Sequence, residues 1–283
     1  MDYMFGVILI SIGTFFEEVS DSIGKIKVNN AQESPYTMAF LSVFWGFIFF
    51  VLISLIKNST FIFNFASLPT FLIRAVLEII QSYVSVLAVI KADRTTYSFL
   101  RTLTIPLLLL VDFILGYKIG FLPMIGIITI IVALIIAFSN HGIKRKGIGF
   151  VIFSAVNAVI TISLFKYDIT HFNSVVAEQL LISLILLISF LSFSLIKAKE
   201  NPFIFLTKPI FFLQSISVGV GGVIESFGYN FGAASIMTAA KRSSAIFWSI
   251  LSGKAYFKEK NILFKFLVFS LLLIGLIFLS FTY

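Results

Sequence analysis

Apolar residues in this chain neither alternate with polar ones nor mark one face of short amphipathic segments; they run on. A helix that crosses the hydrocarbon core of a bilayer needs about 20 predominantly apolar residues. Ten such stretches can be drawn, at 3–24, 36–56, 67–90, 95–117, 120–139, 147–166, 173–196, 208–230, 233–253 and 262–281. The gaps between them are short and carry Lys, Arg, Asn, Gly and Pro. The pattern predicts an all-α integral membrane protein with ten transmembrane helices. Pro35, Pro123, Pro202 and Pro209 fall at or near the starts of spans, where a missing N–H costs little. Pro106 falls inside the fourth and predicts a kink there. A closed barrel, the other way to satisfy a backbone in lipid, is excluded by runs too long and too continuously apolar for alternating strands.

A shift of 140 residues aligns the two halves. Leu55-Ile56-Lys57 then falls on Leu195-Ile196-Lys197, Arg101 on Lys241, and Tyr117-Lys118 on Phe257-Lys258. Each half holds five spans, residues 1–140 and 141–283. Five is odd, so the second half enters the bilayer in the opposite sense. The expectation is one unit of two inverted five-helix repeats, the arrangement in which carriers bind substrate near the midplane at the repeat interface.

Composition agrees with lipid as the solvent. Of 283 residues, 59% are hydrophobic and 12% charged, and mean hydropathy is +1.07. A soluble domain has about 45–50% apolar and about 25% charged residues. There is no Cys, which excludes disulfides and Cys-ligated metal. Two histidines, His141 and His171, make no metal cluster, and no cofactor is expected. The net charge of +8 is spread over gaps instead of gathered on one basic face, so it speaks for lipid headgroups and not nucleic acid. Gaps after odd-numbered spans hold thirteen basic residues, from Lys25, Lys27, Lys91 and Arg94 through Lys144 to Lys258 and Lys260; gaps after even-numbered spans hold Lys57, Lys118 and Lys166. By the positive-inside rule the odd gaps are cytoplasmic and both termini outside. The start Met1-Asp2-Tyr3 lacks a basic n-region, so no cleaved signal peptide is expected. The location this implies is a multi-pass protein of the cell inner (plasma) membrane.

Ionisable groups inside the spans are the candidate chemistry, because they are costly in lipid and commonly face a wet cavity or a partner. In the first span Ser11, Thr14, Glu18, Asp21 or Ser22, and Lys25 share one helical face, with Glu17 on a neighbouring one. The third carries Arg74, Glu78, Gln81 or Ser82, and Ser85 at the same spacing; the fourth carries Arg101 and Asp112. The sixth offers Ser154, Asn157 and Thr161, the seventh Glu178, the eighth Glu225, and the ninth Lys241-Arg242. A Lys-Arg pair in a dry cavity attracts carboxylate or phosphate, and Arg adds forked geometry. Arg101, at the position equivalent to Lys241, brings positive charge from the other half. The competing reading is neutralisation by Glu78, Glu178 or Glu225. Tyr83 and Tyr97, with Trp45, Tyr229 and Trp248, either line the cavity or anchor at the interface. The candidate substrate-binding residues are therefore Lys241, Arg242, Arg101, Glu18, Glu78, Asn157, Glu178, Glu225, Tyr83 and Tyr97.

Small residues crowd the eighth and ninth spans: Gly219, Gly221, Gly222, Gly228, Gly232, Ala233, Ala234, Ala239 and Ala240. They predict close helix contact. Gly219-x-Gly221-Gly222 is not a nucleotide loop, since no strand precedes it. No Walker motif, zinc-protease motif or nucleophile elbow occurs, so the chain does not read as an enzyme or an ATP-driven pump. Two further classes stay open: a membrane-embedded enzyme or lipid-handling protein, which needs catalytic groups near an interface, and a non-transporting interaction subunit, which needs intramembrane charges paired off and no cavity.

Thr104-Ile105-Pro106-Leu107-Leu108 followed by Leu115-Gly116, and Ser252-Gly253-Lys254-Ala255-Tyr256-Phe257-Lys258-Glu259 in the second half, resemble the segments that close the fourth span of each repeat in the drug/metabolite transporter superfamily, and within it the EamA-type ten-helix carriers. Tyr117 stands where that family usually has Glu. Lys241-Arg242 is similar to the phosphate-gripping pair in the ninth helix of plastid sugar-phosphate translocators. The resemblance implies secondary transport by alternating access of an amino acid, nucleotide, sugar phosphate or similar metabolite. Coupling would come from protons, through a buried Glu such as Glu18, Glu78 or Glu225, or from obligate exchange. Members often have cytoplasmic termini, against the charge count, so orientation stays open. Monomer and homodimer both fit.

Overall fold

The computed structural model describes residues 2–56, 61–114, 121–139, 145–232 and 234–280. Lys57, Leu115, Gly116, Tyr117, Lys118, His141, Lys144 and Ala233, singled out above, lie outside these residues, as do the side chains of Asp112 and Pro123.

Among the described residues the fold is all-helical. Its helices are α1 (Asp2–Asn29), α2 (Pro35–Ile56), α3 (Leu68–Lys91), α4 (Arg94–Arg101), α5 (Thr104–Ile114), α6 (Phe121–Ser139), α7 (Ile148–His171), α8 (Val175–Phe193), α9 (Pro202–Leu206), α10 (Pro209–Gly228), α11 (Ala234–Ala255) and α12 (Ile262–Ser280). Apart from the short α9, each falls on one of the apolar stretches. Five helical segments among the described residues are long and apolar enough to cross a membrane: Pro35–Ile56, Phe65–Lys91, Ile148–His171, Val175–Ala198 and Pro209–Phe231. Shorter apolar helices run Met124–Ala137 and Ile262–Gly275.

The outer faces are greasy at helical spacing. Leu72, Val76 and Ile80 on α3, Ile128, Ile131 and Ile135 on α6, and Phe153, Val156 and Ile160 on α7 are all exposed. Stripes of this extent are too large for a soluble surface and fit a bilayer. The protein is embedded in a membrane.

The fourth apolar stretch is not one helix. The ring of Pro106 would strike the carbonyl four residues back, which belongs to Thr102. The chain breaks there into α4 and α5. Tight i→i+3 bonds carry the backbone across, from the N–H groups of Leu103 to Leu100 (3.1 Å) and Ile105 to Thr102 (2.9 Å). The expected kink is thus a break that leaves Arg101 at the end of a half-helix.

Helix pairing sets the interior. α1 packs along α10 and against α11; α7 packs along α3 and against α4; α2 packs on α8 and α10, and α6 on α12. The α1–α10 crossing is backbone to backbone. A Cβ on Gly221 would sit 2.7 Å from the Gly13 carbonyl oxygen, and one on Gly13 2.8 Å from that of Gly221. Gly219 meets α2 as closely, 2.6 Å from the Trp45 Cβ. The glycines of the eighth span therefore do pack helices, except Gly222, which meets nothing within 4 Å and opens into a cavity. Two serines 140 residues apart cap α2 and α8: Ser34 Oγ accepts from Thr37 N–H (3.2 Å) and Ser174 Oγ from Ala177 N–H (3.2 Å). The main apolar core links α2, α3, α4, α8 and α11 through Phe40, Phe71, Phe99, Phe190 and Ile246; a smaller one gathers Ile10, Phe50, Phe165, Tyr229 and Met237.

Candidate functional site

A cavity of about 370 Å³ opens between the helices that carry the intramembrane charges. α1 supplies Glu17 and Asp21. α3 supplies Arg74, Glu78, Gln81, Ser82 and Ser85. α4 supplies Tyr97 and Arg101, α8 Gln179 and Ser183, α10 Glu225 and Ser226, and α11 Lys241 and Arg242. The volume lies within the range of small-molecule pockets, but the lining is far more polar than most. Four acids, Glu17, Asp21, Glu78 and Glu225, face four bases, Arg74, Arg101, Lys241 and Arg242.

Those charges are not equally satisfied. Lys241 Nζ lies between two carboxylates, Glu17 Oε1 at 2.8 Å and Glu225 Oε2, which it also donates to. Arg74 binds Glu178 on α8 and sits 3.7 Å from Glu78 one turn along its own helix. Among the described residues no carboxylate forms an ion pair with Arg101 or Arg242. Arg101 donates from one terminal nitrogen to the Tyr97 hydroxyl (2.6 Å), while its buried Nε has no partner. Arg242 is 4% exposed and donates from Nε to Thr104 Oγ1 at 3.2 Å. Tyr97 has two cations at its ring: the guanidinium carbons of Arg94 and Arg101 each lie 5.4 Å from its ring centre.

The remaining candidates sort by neighbour. Lys241, Arg242, Arg101, Glu78, Glu225 and Tyr97 line the cavity. Glu18 does not. It faces Arg94, which grips it in a fork, Nε to Oε1 at 3.0 Å and a terminal nitrogen to Oε2 at 2.6 Å, and reaches Asp21 at 3.0 Å. Glu178 is fully buried between Arg74 and the amide of Asn173 (2.6 Å). Asn157 ties α7 to α3, donating to the Leu77 carbonyl and to Gln81 Oε1, both at 3.0 Å. Tyr83 stacks on Tyr36 with ring centres 5.3 Å apart, away from the cavity. These four act as ties between elements and lie outside the lining of this cavity.

Two carboxylates outside the spans have structural roles. Glu259, between α11 and α12, accepts from Arg94 N–H (2.7 Å), Thr95 Oγ1 and Lys265 Nζ (2.7 Å). Burial alone would raise its pKa, but these donors outweigh it and hold the carboxyl below its usual range. Glu33, between α1 and α2, is buried beside Gln214 and pushed up to about 8, by burial first and then by nearby Glu200, against the Gln214 amide and Lys27.

Sequence reasoning placed Arg94 in a gap, as an orientation charge. It is 1% exposed and joins α4 to α1. Lys25, counted likewise, is buried and donates to the Ala92 carbonyl. Gln179 and Ser226, hydrogen-bonded to each other at 3.0 Å, were not anticipated in the lining; both are ordinary polar residues in apolar runs. No protein-family model matches the chain, and no curated protein matches it.

Proposed function

We propose that this protein is a secondary carrier that moves a small anionic or zwitterionic metabolite across the cell membrane by alternating access, with the ten-span, drug/metabolite-transporter-like architecture the sequence resembles. The observation that carries this reading is Arg101, a guanidinium in a polar cavity within the helix bundle, with no carboxylate partner among the described residues and one buried donor unused. An unpaired cation in a low-dielectric site is expensive. A ligand that supplies the missing acceptors relieves that cost, and a guanidinium fork matches carboxylate or phosphate. Arg242 offers a second such group from the other half of the chain. Lys241, by contrast, is already held by Glu17 and Glu225 and serves the site's internal charge balance.

The packing supports inverted repeats. Exchanging each element for its counterpart 140 residues away turns α1–α10 into α7–α3 and α1–α11 into α7–α4, and returns α2–α8 and α6–α12 to themselves. All of these pairs are packed. The matching serine caps at Ser34 and Ser174 follow the same shift. Two half-bundles so related can rock about a shared cavity. The non-transporting reading predicts charges paired off and no cavity, and it leaves Arg101 unexplained. No group on the lining forms a nucleophile–base constellation among the described residues, so chemistry on the bound molecule is not part of this reading.

A thermal-shift screen against small anions tests it. Ligand stabilisation follows RT ln(1 + [L]/Kd). One or more carboxylates or phosphates should raise Tm in the wild type, with the shift lost in Arg101→Ala. Equal shifts in both proteins would refute the site.

A further inference from the structure

The Glu17–Lys241–Glu225 cluster has one carboxylate more than its single ammonium neutralises. Lys241 donates to Glu17 Oε1 at 2.8 Å and to Glu225 Oε2. The other oxygen of Glu225, Oε1, is buried with no hydrogen-bond partner, on a residue only 4% exposed. A bare carboxylate oxygen at such a place costs a large part of its desolvation penalty. A proton on that oxygen removes the surplus charge. The backbone holds the two acids together: the Gly13–Gly221 contact brings α1 and α10 to touching distance one turn from Glu17 and Glu225, and a Cβ on Gly13 would fall 2.3 Å from the Glu225 Cγ.

We propose that this cluster is a proton-binding site of the carrier, and that the proton travels with the anion. The inference rests on the carrier reading for its second half only. The groups facing the cluster are Arg101 on α4, Arg242 on α11, Tyr229 after α10, and Asp21 on α1, with Arg74 and Glu78 across the cavity on α3. An anion arriving at Arg101 and Arg242 meets a cluster whose net charge is −1 when both acids are ionised. Protonation makes it neutral and removes the repulsion. Each ligand therefore raises the affinity for the other, and the same coupling free energy acts in both directions. The proton comes from water on the side where the anion enters and returns to water on the side where it leaves. Glu225→Gln fixes the cluster in its protonated charge state.

Two measurements separate the halves. Infrared difference spectra of the protein in nanodiscs, acid minus alkaline, should show the C=O stretch of a protonated carboxyl that is lost in Glu225→Gln; Glu17→Gln, which removes the other acid, should shift it. A wild-type band unchanged in both variants overturns the proton site, whether or not the protein transports anything. Sulfate and pyruvate keep their charge from about pH 5.5 to about 8.5, so their binding reports only on the protein. Wild-type affinity for whichever of the two binds should fall about tenfold across that range, and Glu225→Gln should hold affinity within about twofold. Equal pH dependence in both proteins, or no binding of either anion, overturns the coupling and leaves the infrared result to decide the site alone.

Discussion

Arg94 and Arg101 lie on one short helix, both at the ring of Tyr97, yet they have opposite standing. Arg94 is spent on Glu18 and Asp21. Removing one partner of such a buried pair leaves a bare charge, which costs about 3–5 kcal/mol. Arg94→Leu and Glu18→Leu should each lower Tm sharply in detergent, and the double variant should recover part of the loss, because only the partly exposed Asp21 is then left without its cation. Arg101→Ala removes a charge with no ion-pair partner among the described residues, so Tm should change little while anion affinity falls about 10- to 100-fold, the worth of about 1.5–3 kcal/mol for a charged hydrogen bond. Calorimetric titration checks it. Glu33 makes a separate prediction. Its folded value, about 8, lies above the ordinary 4.5. Between those two values the folded state keeps a proton that the unfolded chain gives up, so this contribution to stability is full below the lower value and lost as pH rises through the upper one. Glu33→Gln should flatten that part of the Tm–pH curve. An unchanged slope would contradict the burial assigned to Glu33.

The helices were the most legible part of the sequence, because length and apolarity alone announce a long apolar helix; among the described residues five segments are long and apolar enough to cross a membrane. The α3 face, Arg74, Glu78, Gln81, Ser82 and Ser85, was legible too, since all five line the cavity at helical spacing. On α1 the expected face held Glu18 with Asp21 or Ser22; Asp21 meets the cavity, beside Glu17 from the neighbouring face. Glu18 and Ser22 fit the i, i+4 stripe as well as Glu17 and Asp21 do, and only the packing of α10 and α11 decides which pair meets the cavity. Arg94 was misplaced because hydropathy scores a buried half-helix start and an exposed gap alike. Pro106 announced the break between α4 and α5, but not its use, which is to end α4 at Arg101. At the Gly13–Gly221 crossing there is no room for side chains. Gly221→Val should force α1 from α10, lower Tm and separate Glu17 from Glu225. Gly222→Ala, facing open space, should be tolerated. Matched thermal melts distinguish the two.

At the scale of the whole molecule, the lack of cysteine makes topology directly measurable. With inverted repeats, Gln32 and Phe172, at equivalent turns between the first two helices of each half, lie on opposite faces of the membrane. Single cysteines there should react with an impermeant maleimide from opposite sides of oriented vesicles. Labelling of both from one side would contradict the inverted duplication. Long-range pairing, such as Arg74 with Glu178 or Asn157 with Gln81, was not visible in sequence, because nothing local specifies a partner about eighty to a hundred residues away. The most direct test of the carrier reading is uptake of radiolabelled anions, chosen by thermal shift, into proteoliposomes of wild type and of the Arg101→Ala/Arg242→Ala double variant. Saturable uptake by the wild type, with the double variant at the level of empty vesicles, is the expected result; equal uptake by both proteins, or none by the wild type, would contradict it.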